Sequence, residues 1–152
     1  MLTIYIDADG CPVKDEVYRV ARRCDLAVCV VANSYLQMPR WGRAELVMVG
    51  RGEGVADDWI AAHAGTGDIV VTADIPLAAR CLEVDARVVH PKGREFTPES
   101  IGDALAGREL TQHLLELGGT PGGPAPMSAR DRSRFLNTLD AVVQSLLRAH
   151  RG

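Results

Sequence analysis

The chain has 152 residues, of which 47% are hydrophobic and 24% are charged, and its formal net charge at pH 7 is −3. A chain of this length buries roughly 70% of its unfolded surface on folding, so one conventional core is sufficient to hold it together. The composition excludes a largely disordered protein, and the weak negative charge excludes attraction of phosphate polymers over the whole surface. A nucleic-acid ligand therefore requires local basic patches.

The first residues, Met1–Asp7, show no basic leader, no long apolar stretch and no cleavage site of a signal peptide. The longest apolar runs are too short to cross a bilayer. The cysteines are scattered without Cys-x-x-Cys spacing, which argues against a zinc knuckle and against a disulfide framework. We therefore expect a cytoplasmic protein that does not associate with membranes.

Five short apolar segments rich in β-branched residues predict strands that are buried on both faces of a parallel sheet. They are residues 2–6, 26–32, 46–49, 69–72 and 86–89. Helical patterns lie between them, the first opened by Pro12, the second over about residues 56–64 and the third over about residues 75–83. Strands that alternate with helices predict right-handed βαβ crossovers in a three-layer α/β/α domain.

Beyond residue 90 the pattern predicts helices only. Thr97-Pro98 opens one, and residues 109–117 form another. We interpret residues 1–90 as an α/β core and residues 91–152 as a helical extension packed on it, within a single domain.

A capping box formed by Ser128 and Asp131 begins a long last helix, whose apolar stripe runs from Phe135 to Leu147. Such a stripe packs against the domain or against a second copy of the chain, so a homodimer through this helix stays open. The residues before it, 118–126, are rich in glycine and proline and predict an irregular loop.

Aspartates follow the ends of three predicted strands. They are Asp7 and Asp9 after the first strand, Asp57 and Asp58 beyond the third, and Asp74 after the fourth. Because ligands of an open parallel sheet bind outside the carboxyl ends of its strands, we expect these carboxylates to gather at one site. Two carboxylates about 4 Å apart repel by ~4 kcal/mol at an effective dielectric constant of ~20, against ~1 kcal/mol in water.

A hard cation removes this repulsion, since Mg²⁺ and Mn²⁺ prefer oxygen ligands. The cluster therefore predicts a Mg²⁺ or Mn²⁺ site, and with a phosphodiester as the further ligand it suits a nuclease that uses a metal-activated water. We expect catalytic roles for Asp7, Asp9, Asp58 and Asp74, and metal ligation by these four together with Asp57.

Several aspartates also have a structural alternative. Asp57 or Asp58 can be a helix N-cap, and Asp74 can cap the third predicted helix. Asp68 precedes its strand and so lies at the opposite end of the sheet, where we interpret it as a turn residue. The alternative is weakest for the pair after the first strand, because two acids at the end of a buried strand have little structural use.

Polar and aromatic residues near the strand ends are candidates for binding the substrate. They are Lys14, Asn33, Ser34, Arg40, Trp41 and Thr72. Around Trp41, aromatic and arginine residues interleave as they do on surfaces that stack single-stranded nucleic acid, although Trp41 can also simply cover the core. Nucleic acid, RNA rather than DNA, is therefore the expected partner.

With these residues identified, the sequence resembles the YaiI/YqxD family of bacterial proteins over essentially its whole length. The matching segments are Ile6–Lys14, Val31–Ser34, Ala56–Asp58, Gly67–Ala78 and Gly122–Pro124, with Asp131, Arg132 and Phe135. The family is placed among PIN-like nuclease folds, which implies a PIN-like α/β/α domain with a mainly parallel sheet of about five strands and C-terminal helices. The resemblance also implies acidic positions at Asp7, at Asp57 or Asp58, and at Asp74, with Asp9 as an added or alternative ligand.

Two other functions stay open. The segment Ile6–Gly10 also resembles the start of haloacid-dehalogenase-like phosphatases, in which Asp7 would attack phosphorus, Asp9 would act as acid and base, and Ser34 would hold phosphate. Against this, Cys11 stands where those enzymes usually carry a hydroxyl residue. The third function is a non-catalytic protein that keeps the acidic site for a metal, for nucleic acid or for a basic partner.

Overall fold

A computed structural model describes residues 2–9, 11–52, 54–116 and 127–151. Over these residues the chain forms one six-stranded sheet in the order β3-β2-β1-β4-β5-β6. The strands are β1 (Thr3–Asp7), β2 (Ala27–Ala32), β3 (Ala44–Met48), β4 (Ile69–Val71), β5 (Arg87–Val89) and β6 (Glu95–Phe96). The first five are parallel, and β6 runs antiparallel to β5.

Strand β1 lies in the middle of the sheet because its alternate residues are buried by helices on both faces. Ile4 and Ile6 are completely buried and pair in register with Val28 and Val30 of β2 on one side. On the other side Ile6 pairs with Val71 of β4. β-branched side chains suit this doubly covered position.

Five helices are described, α1 (Lys14–Cys24), α2 (Val55–His63), α3 (Ile75–Glu83), α4 (Pro98–Glu116) and α5 (Ala129–Arg151). Helices α1 and α5 bury their apolar sides in one core on one face of the sheet, and α2, α3 and α4 contribute to a second core on the other face. The predicted three-layer α/β/α fold with a mainly parallel sheet is confirmed.

The apolar stripe of α5 is buried within the chain. Phe135 and Leu139 are completely buried in the same core as α1, and Val143 is buried beside them. The capping box is confirmed, since the Ser128 hydroxyl accepts from the Asp131 amide at 3.0 Å and the Asp131 carboxylate accepts from the Ser128 amide at 3.1 Å. These contacts use the stripe inside one chain, and the homodimer stays a prediction.

Two predictions for the segment after residue 90 are wrong. One helix, α4, replaces the two that the sequence predicts, because its glycines Gly102 and Gly107 are exposed and each costs only about 1 kcal/mol relative to alanine. Strand β6 is a two-residue strand, too short to show a sequence period. A bidentate ion pair between Arg87 and Glu95, at 2.6 and 3.1 Å, ties it to β5.

Strand β3 is also displaced by two residues from the predicted segment 46–49, since it begins at Ala44. The glycine- and proline-rich segment 118–126, with its matching residues Gly122–Pro124, lies outside the described residues. Among the residues that are described, no helix has both the length and the apolar character needed to cross a membrane.

Gly93, in the turn between β5 and β6, lies directly against α5. Its φ is +97°, and a Cβ added there would lie 2.8 Å from the carbonyl carbon of Arg134. The Thr138 hydroxyl donates to the Gly93 carbonyl at 2.7 Å. This turn therefore anchors α5 to the edge of the sheet.

We predict that Gly93→Ala lowers the free energy of unfolding by about 2 kcal/mol or more, because it combines a left-handed φ with a steric clash against backbone. Urea denaturation monitored by circular dichroism measures the loss. Gly65→Ala is the matched control, since the added carbon there meets nothing within 4 Å. Equal stability of the two variants would show that α5 does not depend on this contact.

Candidate functional site

Four carboxylates meet in one cleft at the carboxyl end of the parallel strands. The cleft has a volume of about 370 Å³. Its lining residues are Asp7, Asp9, Asn33, Gly50, Gly52, Gly54, Ala56, Asp57, Ala73 and Asp74. The structure therefore brings together aspartates that are separated by up to 67 positions in the chain, at the place where a parallel sheet binds ligands.

Asp7 is the buried member of the group, with 9% of its surface exposed. It ends β1 one residue beyond the pairing of Ile6 with Val71, which places it beside Thr72. The Thr72 hydroxyl donates to Asp7 Oδ2 at 3.0 Å and accepts from the Asp74 amide at 3.0 Å. Thr72, which the sequence suggested as a substrate contact, is 1% exposed and instead holds Asp7 in place.

Asp74 has both a structural role and a position in the cleft. Its Oδ1 accepts from the Leu77 amide at 2.9 Å and caps α3, so the structural alternative for this residue is confirmed. The cap fixes the rotamer of a carboxylate whose side chain also lines the cleft. An asparagine at this position preserves the cap but removes the charge.

The structure distinguishes between Asp57 and Asp58. Gly54, with φ +78°, is the N-cap of α2, so neither aspartate is the cap and both lie in the first turn. Asp57 lines the cleft, whereas Asp58 forms an ion pair with Arg80 at 2.8 Å with its side chain 72% exposed. Of the two, Asp57 therefore shares the cleft with Asp7, while Asp58, for which the sequence also predicted a catalytic and metal role, faces away from it.

The surroundings of Asp7 and Asp57 in the cleft disfavour the ionised form of their carboxyl groups. The pKa of Asp7 is raised to about 6, chiefly by burial and also by the neighbouring carboxylates of Asp57, Asp74 and Asp9, while the hydrogen bond from the Thr72 hydroxyl acts to lower it. Burial and the nearby Asp74 also raise the pKa of Asp57. At neutral pH the cleft therefore holds repelling negative charges that a cation would relieve.

The donor chemistry fits Mg²⁺ or Mn²⁺, since every polar side chain lining the cleft offers a carboxylate or amide oxygen. Within the described ranges, however, no group of three or more His, Cys, Asp or Glu side chains is already arranged to hold a metal ion.

The remaining substrate candidates divide by location. Asn33 lines the cleft, and Ser34 follows it with an exposed side chain. The Lys14 ammonium donates to the Cys11 carbonyl at 2.9 Å, which ties it to the turn before α1. Arg40 is exposed, and Trp41 packs partly buried against the α1 core. Trp41 thus covers the core.

Asp68 is a turn residue, as its position in the sequence predicted. Its carboxylate accepts from the Gly65 amide at 3.0 Å and from the Thr3 amide at 3.1 Å, at the opposite end of the sheet from the cleft.

The Thr72 contact with Asp7 is the feature that sequence reasoning missed. The one feature of the sequence that could have indicated this contact is a threonine two positions before a helix-capping aspartate.

A family model described as "Uncharacterized BCR, YaiI/YqxD family" matches residues 5–145. The chain belongs to the YaiI/YqxD family. The resemblance seen in the sequence is thereby confirmed, and the match includes all four carboxylates of the cleft. The family description assigns no reaction to its members.

Curated relatives match this chain over nearly its whole length. A UPF0178 protein of Rhodospirillum centenum is 56% identical over 152 residues, covering 97% of this chain and 99% of the relative. UPF0178 proteins of Bradyrhizobium sp. and Azorhizobium caulinodans are 50% and 51% identical, each over 97% of this chain and 90% and 93% of the relative. No solved structure matches the chain significantly.

We predict that Asp7→Asn raises stability at neutral pH. The folded pKa of about 6 lies above the ordinary value of 3.8. The unfolded chain therefore loses this proton first as the pH rises from about 4, and stability falls until the pH passes about 6. The full difference corresponds to about 3 kcal/mol. At pH 7.5 the variant should be about 1–3 kcal/mol more stable than the parent, with little difference at pH 3.5.

Urea denaturation at the two pH values, without divalent metal, measures this dependence. Asp103→Asn is the control, because Asp103 is exposed on α4. It should change stability by less than about 0.5 kcal/mol at either pH. A destabilised Asp7→Asn at pH 7.5 would mean that the ionised carboxylate is compensated within the cleft.

Proposed function

We propose that this chain is a divalent-metal-dependent nuclease that hydrolyses phosphodiester bonds in RNA at the cleft formed by Asp7, Asp9, Asp57 and Asp74. The observation that supports the proposal is the convergence of these carboxylates at the carboxyl end of the central strands, with one of them buried. Such an arrangement lowers the free energy of unfolding unless a cation binds there. Groups that lower stability in this way are typical of a functional site.

The side chains that would hold the metal are Asp7 and its neighbours Asp57 and Asp74. Thr72 fixes the position of Asp7, and the α3 cap fixes that of Asp74. A bound Mg²⁺ or Mn²⁺ supplies an acidified water and neutralises charge on the phosphate. Asp9, which is exposed and lines the cleft, would be the group that accepts a proton from an attacking water.

The glycines of the cleft wall suit a polymeric substrate. Gly50, Gly52 and Gly54 line the cleft, and a Cβ added at Gly50 or Gly54 would meet nothing within 4 Å. Their lack of side chains lets a sugar–phosphate backbone approach this wall closely. Gly54 also begins α2, whose first turn carries Asp57.

The phosphatase alternative has less support. Cys11, at the position of the usual hydroxyl residue, is buried with 4% exposure. A phosphate-binding lysine would have to come from Lys14 or Lys92. The Lys14 ammonium is bonded to the Cys11 carbonyl, and no lysine is among the described residues that line the cleft. The non-catalytic alternative uses the same cleft and differs from the nuclease only in that the bound ligand is not cut.

We predict that the purified chain cuts labelled single-stranded RNA in Mg²⁺ or Mn²⁺ but not in EDTA. Asp7→Asn and Asp74→Asn should each reduce the rate at least about 100-fold, because each removes a charge that would hold the metal. Both variants preserve an oxygen for the bonds to Thr72 and Leu77. Gel analysis of single-stranded RNA, single-stranded DNA and a phosphate monoester under the same conditions identifies the substrate class.

The adjacent aspartates provide a matched pair. Asp57→Asn should lose activity as Asp7→Asn does, whereas Asp58→Asn should keep at least about half of it, because its carboxylate pairs with Arg80 outside the cleft. Mn²⁺ should raise the melting temperature of the parent and of Asp58→Asn, but not of Asp7→Asn. Metal-dependent stabilisation without cutting of any substrate would favour the non-catalytic alternative. Monoester turnover by a phosphorylated Asp7 would favour the phosphatase.

A further inference from the structure

The connection between β2 and β3, residues 33–43, lies against α1 on one face of the molecule. Met38 and Trp41 pack against the core that α1 shares with the sheet. The Tyr18 hydroxyl donates to Met38 Sδ at 3.9 Å, and the Arg22 guanidinium lies 5.8 Å from the centre of the Trp41 ring. The connection and the exposed side of α1 therefore form one continuous surface.

We propose that this surface binds single-stranded nucleic acid and guides it towards the acidic cleft. We call it the arginine face and define it by Tyr18, Arg19, Arg22, Tyr35, Arg40 and Trp41. The binding itself is independent of catalysis, but the guiding role rests on the proposed nuclease function.

The arginines of this face are available to bind phosphate. Arg19, Arg22 and Arg40 are exposed, and none of them forms an ion pair with any residue in the described part of the chain. By contrast, Arg23, next in sequence to Arg22, pairs with Asp140 of α5. In a chain of net charge −3, a group of unpaired arginines is a local attraction for phosphate.

The face also carries aromatic residues: Tyr18 lines the same concavity as Arg19 and Arg22, and the Arg22 guanidinium lies over the partly buried ring of Trp41. Tyr35 is 74% exposed, which makes it a large apolar side chain left in water. Between α1 and the connection lies a shallow concavity of about 400 Å³, lined by Asp15, Tyr18, Arg19, Arg22 and Pro39. Asp15 contributes one negative charge there, fewer than the arginines supply.

This combination favours single-stranded nucleic acid over an acidic protein or a duplex. Unpaired bases stack on aromatic rings and on arginine, and phosphates between them bind the guanidinium groups. An acidic peptide offers the charge without the bases, and a duplex keeps its base faces stacked inside.

The arginine face is connected to the cleft through the backbone. Asn33 is the first residue of the connection and lines the cleft, and Tyr35 follows two positions later. Helix α1 begins at Lys14, five residues after Asp9, which also lines the cleft. Both elements of the arginine face are thus joined by short segments to residues of the cleft, so a strand bound on this face would extend towards the carboxylates.

Fluorescence anisotropy with a labelled 12-nucleotide single-stranded RNA tests the proposal on the full chain, in EDTA so that cutting does not interfere. The triple variant Arg19→Gln, Arg22→Gln, Arg40→Gln should weaken binding at least about 10-fold at 50 mM salt. It should also lower the slope of log affinity against log salt by about 2, which is the release expected for three phosphate contacts on a single strand.

Two further variants separate stacking from charge. Tyr35→Ala should weaken binding about 5-fold or more with an unchanged salt slope, since it removes a stacking surface and no charge. The control triple Arg94→Gln, Arg134→Gln, Arg148→Gln removes equal charge from exposed positions outside the face and should change affinity less than about 3-fold. Thermal melts verify that all variants fold.

Absence of RNA binding by the parent, or equal weakening by both triples, would overturn the proposal. So would competition by polyglutamate as strong as that by unlabelled RNA, because it would identify an acidic protein as the ligand. A parent that binds RNA through these residues but never cuts it supports the arginine face and contradicts the nuclease. A triple variant that cuts RNA with unchanged KM contradicts the arginine face alone.

Discussion

The candidate site depends on one buried carboxylate, that of Asp7 at the end of the central strand. Because β1 has neighbours on both sides and helices on both faces, this side chain cannot turn away to solvent. The Thr72 hydroxyl satisfies one of its oxygens and at the same time accepts the Asp74 amide. A single hydroxyl thus joins the ends of β1 and β4 and determines where two of the four carboxylates stand. Burial raises the pKa of Asp7 to about 6, so at neutral pH the fold maintains a charge at a cost to its stability.

Two of the other carboxylates, those of Asp57 and Asp74, are positioned by separate local contacts, so the position of one does not depend on that of the other. Asp74 is fixed by its bond to the first turn of α3, and Asp57 by the glycine that begins α2. Neighbouring parallel strands lie about 4.8 Å apart, so residues that leave the ends of β1 and β4 arrive side by side without any packing of their own side chains. The cleft is therefore built by backbone geometry.

Negative and positive charges are separated on the molecule. The carboxylates lie at the carboxyl edge of the sheet, while the arginines of the arginine face lie on α1 and the neighbouring connection, with Asn33 between the two regions. Helix α5 packs against α1 and holds it in position. Phe135 and Leu139 fill the core under α1. Arg132 donates to the Pro12 carbonyl at 2.9 Å, in the turn before α1. The proposed phosphodiester substrate would use both regions, since cations attract its backbone and the carboxylates would hold the proposed metal.

Up to residue 90 the sequence by itself determined the order of strands and helices, and it determined the set of acids at the strand ends, because burial on both sheet faces and helix capping are local patterns. It also determined the capping box of α5, since Ser128 and Asp131 are only three positions apart. Tertiary structure decided what depends on distant partners. The rotation of α2 turns Asp57 to the cleft and Asp58 to Arg80, the strand register puts Thr72 beside Asp7, and an ion pair forms β6. These contacts join residues from different elements, and no periodicity along the chain encodes them.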